Sequence, residues 1–126
     1  MVAALGAVVM REKKYLTKPQ QYTLVYSQGS SLASDLVAMR FVENGIAFSR
    51  YGFSVSKRLG GAVRRNRVKR QLREILRVLP LEPGWDIIFI ARPAAATSSY
   101  ASLKLTVASL LARAGLRAPG AADDSP

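Results

Sequence analysis

Apolar positions recur along this chain with two periods, three to four residues and two, and the changes between them mark the elements. From Lys18 to Gln28, Tyr22, Val25 and Tyr26 recur at three and four, which predicts a short helix ending at Gly29, with Thr17 as its cap and Pro19 in its first turn. Residues Leu36 to Val42 alternate instead, Val37, Met39 and Phe41 on one side and Ala38, Arg40 and Val42 on the other, and they end at Glu43-Asn44-Gly45. That turn signal predicts a hairpin to a second strand, Ala47 to Ser56. There Tyr51, Phe53 and Val55 alternate with Gly52, Ser54 and Ser56, so one face is bulky and the other nearly bare.

Gly60 and Gly61 break the strand and open a helix from about Ala62 that stops before Pro80. Asp86 to Arg92 is apolar at consecutive positions, the pattern of a central strand covered on both faces. Thr97 or Ser98 caps a last helix through about Ala114, with Leu103, Val107, Leu110 and Leu111 as its buried stripe and Gly115 as its stop. The order α-β-β-α-β-α predicts an α/β (α+β) two-layer sandwich. No internal repeat interrupts it.

The middle helix changes the picture most. At 100° per residue, Val68, Leu72, Ile75, Leu76 and Leu79 share one apolar arc, and Asn66, Lys69, Arg70, Arg73 and Arg77 gather opposite, with Arg67 and Glu74 on a flank. Residues 57–77 hold nine of the chain's 19 basic residues and one acid, so like charges stand at i,i+3 and i,i+4 without the mixed pairing that stabilises an ordinary solvated helix. An uncompensated stripe points to a polyanionic partner. Seven of the nine are arginines, whose planar fork matches phosphate bidentately and stacks on bases, which favours nucleic acid over a membrane surface. Asn66 is either a reader of a ribose hydroxyl or base edge, or a polar residue tolerated in a first helical turn.

Composition sharpens this. The 126 residues suffice for one domain with a modest core, 49% of them being apolar. The net charge is +11, of which the segment 57–77 supplies +8 and the rest only +3, the distribution of a binding surface. With no histidine and no cysteine, and eight acids scattered singly except Asp123-Asp124, side-chain metal ligation or acid–base hydrolysis has almost nothing to use; no catalytic side chain and no protein-bound metal are expected. The lack of cysteine is compatible with a reducing, cytoplasmic setting. The opening MVAALGAVVM is too short and too poorly flanked for a membrane span or a signal peptide. Residues 1–14 are therefore expected to be a disordered extension, or to reflect a start at Met10, with a single domain at 15–116 and a loose tail at 117–126.

The run GFSVSKRLGGAVRRNRVKRQLRE, centred on Arg65-Asn66-Arg67, resembles the signature of the protein component of bacterial ribonuclease P. YLTKPQQYTLVYSQGSS looks like that family's first helix and following glycine, and DIIFIARP like its last strand, so the resemblance spans Tyr15 to Gly115. It implies an α/β sandwich with a left-handed βαβ crossover. It also implies a partner that is the catalyst, a large magnesium-binding RNA, which the protein helps to remove the 5′ leader of precursor tRNA. No cofactor bound by the protein alone, no membrane and no obligate protein partner are implied. Carried over by position, Arg65, Asn66, Arg67, Lys69 and Arg70 match the residues that lie against the catalytic RNA, and Lys57, Arg58 and Arg73 match neighbouring basic positions. Tyr22 and Tyr26 match aromatic positions that line a cleft for the leader, where rings stack bases without regard to sequence. On spacing alone the same two tyrosines read first as core packing. Tyr15 departs from the pattern, standing where the family often has arginine, which counts against an N-terminal RNA contact there, with Arg11, Lys13 and Lys14 as basic residues to compensate. The alternative function is that of a small basic ribosomal or other structural RNA-binding protein. A DNA-binding helix–turn–helix fits less well, because a strand precedes the basic helix.

Overall fold

The computed structural model describes residues 13–118 and places them in one five-stranded sheet with helices on both faces. In chain order the elements are β1 (Lys13–Tyr15), α1 (Pro19–Gln28), β2 (Ser30–Ala33), β3 (Val37–Glu43), β4 (Ser49–Ser54), α2 (Ala62–Val78), β5 (Trp85–Ala91) and α3 (Tyr100–Ala114). One 3₁₀ turn, Lys57–Leu59, leads into α2 and another, Pro93–Thr97, follows β5.

The mixed α+β architecture follows the expected order, with two short strands added. The sheet runs β1-β4-β5-β3-β2. β5 occupies its centre, parallel to β4 and antiparallel to β3, as its unbroken apolar run requires. The expected hairpin between β3 and β4 is not formed. β5 inserts between them and takes the inner edge of both, because β5 is the strand most fully apolar and buried on two faces and gains most from the middle of the sheet. The Asn44-Gly45 turn remains, with φ 72° at Gly45, but it steps across β5 instead of closing a ladder. β3 pairs on its other side with β2, which the pattern missed, as it missed β1; each is too short to show a period.

Two cores lie back to back. On one face the bulky side of the strands, Met39, Tyr51, Ile87 and Phe89 among them, packs against Val68, Leu72, Ile75 and Leu76 of α2 and Leu103, Val107, Leu110 and Leu111 of α3. On the other face α1 alone inserts Val25 against Leu16 and Ile88, with Tyr22, Val42 and Ile90 around them. At α1 the cap is Lys18 rather than Thr17, and the Gln21 side chain turns back to accept from the N–H groups of Thr17 and Lys18 at 2.9 and 3.0 Å. α3 is capped by Ser99, one residue beyond the expected pair, because Thr97 and Ser98 belong to the 3₁₀ turn and its cap. Gly115 ends α3 at φ 76°.

Residues 1–12 and 119–126, most of the expected extension and tail, lie outside the described residues. The fold reaches slightly past the expected domain limits at both ends. β1 takes Lys13 and Lys14 into the sheet, Arg117 bridges to Leu81, and the Ala118 N–H donates to Pro80 O at 3.1 Å. Among the described residues no helix is long and apolar enough to cross a membrane.

Candidate nucleic-acid interface

The strand-to-helix turn at residues 55–62 sets the basic surface. Ser56 caps the 3₁₀ turn by accepting from the Arg58 N–H at 3.3 Å, leaving the Lys57 and Arg58 side chains exposed. Gly60 then adopts φ 127°, a conformation that side-chain-bearing residues rarely take, and a Cβ there would meet Arg64 Cδ at 2.9 Å. Gly61 caps α2 with no side-chain acceptor, so first-turn N–H groups of the helix add their partial positive charge to the surface.

Along α2 the expected sorting holds. Val68, Leu72, Ile75 and Leu76 are buried, while Asn66, Arg70, Arg73 and Arg77 are exposed and Lys69 is half-buried. The two arginines that flank Asn66 are engaged with the fold: Arg65 Nε donates to Gly60 O at 3.2 Å, and the Arg67 guanidinium donates to the carbonyl of Ala96 in the second 3₁₀ turn. Each anchors α2 through one donor and keeps the rest of its fork for another partner. Glu74 is paired with Arg77. Among the described residues none of Lys57, Arg58, Arg65, Arg67, Lys69, Arg70 and Arg73 has a carboxylate partner. The structure thus brings the eight sequence-named positions onto one turn and one helix.

Tyr22 and Tyr26 lie on the opposite face of the sheet, one turn apart on α1. Tyr22 is half-buried over Gly52, whose hypothetical Cβ would fall 2.3 Å from the tyrosine oxygen. The bare face of β4 is therefore a seat for this ring. Its hydroxyl donates to Leu16 O at 3.3 Å, and burial, with Tyr26 nearby, raises its pKa. Tyr26 is 42% exposed. Spacing alone could not separate the two roles; in the structure Tyr22 is half core and Tyr26 mainly surface.

Further contacts on this face of the sheet are made by Arg40, Arg50 and Asp86, none of which was singled out as a site residue from sequence. Arg40 of β3 donates to Tyr26 O at 2.5 Å and to Gly29 O at 3.1 Å, with its guanidinium 6.0 Å from the Tyr26 ring centre. It ties the end of α1 to the sheet. Arg50 of β4 meets Asp86 of β5 bidentately at 2.8 and 2.7 Å, and Asn44 Nδ2 donates to the same carboxylate at 2.9 Å. Asp86 is fully buried, and its bond is the main cause that raises the Arg50 pKa. The available sequence signal was Arg40 as a single charge between Ala38 and Val42; the pairing of Arg50 with Asp86 has no local signal.

Comparison with known proteins bears on the chain as a whole. A family model described as Ribonuclease P matches residues 10–115. The chain is 46% identical over 105 residues to the ribonuclease P protein component of Dehalococcoides mccartyi, covering 83% of this chain and 88% of that one. It is 41% identical over 120 residues to the corresponding protein of Roseiflexus castenholzii, covering 93% and 98%. The solved structure of the Staphylococcus aureus RNase P protein superposes with a TM-score of 0.75 at 30% identity, covering 83% of this chain and 97% of that one. A shared fold, together with family-level identity across nearly all of the described residues, places this chain in the ribonuclease P protein component family.

Proposed function

We propose that this chain binds the catalytic RNA of ribonuclease P through α2 and its preceding turn, and the 5′ leader of precursor tRNA through the cleft between α1 and the sheet. It thereby assists RNA-catalysed hydrolysis of the phosphodiester bond that frees the mature tRNA 5′ end. The observation that carries this reading is the separation of two unlike surfaces on opposite faces of one sheet. α2 offers arginines without carboxylate partners, suited to a folded RNA's phosphates. The cleft offers aromatic rings beside cations already engaged by the protein, suited to a single strand whose bases stack without sequence preference.

The chemistry itself stays with the RNA in this reading. The basic segment contains one acid, Glu74, and it is held by Arg77, so the donor set does not fit a divalent cation. Magnesium belongs with the RNA partner. The test is cleavage of a 5′-leader precursor tRNA by bacterial catalytic RNA at low magnesium, with and without this protein. Strong stimulation at the mature 5′ end is expected. RNA binding without stimulation would move the assignment to an RNA-packaging role.

A further inference from the structure

At the sheet edge formed by β1, on the α2 side and thus away from the leader cleft, Tyr15 and Tyr51 are direct neighbours in the parallel β1–β4 pairing. Their rings meet edge to face, with centroids 5.1 Å apart at 69°. Tyr51 is buried at 6% exposure, whereas Tyr15 is 49% exposed. Arg70, Arg73, Glu74 and Arg77 of α2 form the opposite wall of an open pocket of about 200 Å³. Glu74 is taken by Arg77, and among the described residues Arg70 and Arg73 have no carboxylate partner. Burial, and next the neighbouring Tyr15, push the Tyr51 hydroxyl up to about 12, while Arg73 acts in the opposite direction. Tyr51 is therefore neutral at ordinary pH and adds no negative charge to the pocket.

An exposed ring facing two arginines is the chemistry of one nucleotide: a π surface for the base and planar forks for the phosphate. The pocket is too small for a duplex groove. An acidic peptide would use the arginines but leave the ring unused. We propose that this pocket seats a single unpaired nucleotide of the RNA bound by α2, its base against Tyr15 and its phosphate between Arg70 and Arg73. The inference rests on α2 being the RNA face and adds to it a stacking subsite supplied by β1.

The test is equilibrium binding of bacterial catalytic RNA by the full chain carrying Tyr15→Leu or Tyr15→Phe, across a salt series. Loss of one stacked base weakens binding about five- to 150-fold, so Tyr15→Leu should fall in that range with an unchanged salt slope, and Tyr15→Phe should stay within about twofold of wild type. The gain in affinity from the tRNA leader should be unaffected by either, since the cleft lies across the sheet. Binding of Tyr15→Leu at wild-type strength, or equal losses for both variants, would overturn the proposal. Photocrosslinking of the unmodified protein to 4-thiouridine-substituted catalytic RNA is independent of variant folding. A crosslink at Tyr15 supports the pocket, and crosslinks confined to α2 contradict it. If the wild-type protein does not bind the RNA at all, the RNA-face reading falls, and the pocket with it.

Discussion

On the α1 side of the sheet, Arg50 is paired with the carboxylate of Asp86, and one terminal nitrogen of Arg40 is held by the carbonyls of Tyr26 and Gly29. On α2, Arg70 and Arg73 meet no carboxylate among the described residues. Arg65 and Arg67 stand between these extremes, each with one bond to a backbone carbonyl. A cation held by the fold gives shape, and one left over gives a field. In the proposed reading, leader binding on the α1 face should therefore depend weakly on salt, and binding of the catalytic RNA by α2 should fall steeply with it.

The largest effect should come from removing the carboxylate that joins β5 to β4. Asp86→Ala leaves the partly exposed Arg50 guanidinium and Asn44 amide without their shared partner, a loss of about 2–3 kcal/mol. Denaturant unfolding should register it as a lower midpoint, and an unchanged midpoint would show that the pair does not brace β4 against β5. Next, Tyr22→Ala should weaken leader-dependent binding of precursor tRNA by about 1–3 kcal/mol, the worth of one stacked base, while affinity for the catalytic RNA stays near wild type. Isothermal titration with long-leader and leaderless substrates separates the two.

Arg70→Gln combined with Arg73→Gln sharpens the comparison from the other side. It should weaken catalytic-RNA binding about tenfold and reduce the slope of log affinity against log salt by about 2, with leader-dependent gain preserved. Equal slopes for variant and wild type would mean that these arginines do not meet phosphate. Smallest of all, Tyr22→Phe removes only the long bond to Leu16 O and keeps the ring over Gly52, so leader affinity and stability should each change by less than about 1 kcal/mol.

The two sides also differed in how far they could be read from sequence. The α2 stripe was legible because a helix sorts local sequence onto faces by a known angle, and Val68, Leu72, Ile75 and Leu76 are all buried as that angle requires. The cleft was not, because its parts come from α1, β3, β4 and β5; Arg50 and Asp86 lie 36 residues apart, and nothing in either local pattern announces the pairing. Tyr22 and Tyr26 came from the family resemblance, and the nearly bare face of β4 acquires its meaning only with Tyr22 laid over Gly52. The false hairpin has the same origin. Asn44-Gly45 is a sound local turn signal, but the neighbour of β3 is decided by which strand gains most from burial on two faces, and that is β5. β1 and β2 were overlooked because three and four residues carry no period long enough to detect.

The division of labour between the two faces is tested most directly by measuring precursor tRNA affinity as a function of leader length in three holoenzymes: wild type, Tyr22→Ala, and Arg70→Gln with Arg73→Gln. Each is assembled at protein concentrations that saturate the catalytic RNA. Affinity should rise with leader length for wild type and for the double arginine variant, and the rise should be largely lost for Tyr22→Ala. A leader dependence lost equally in both variants, or retained in both, would contradict the assignment of leader and catalytic RNA to opposite faces of the sheet.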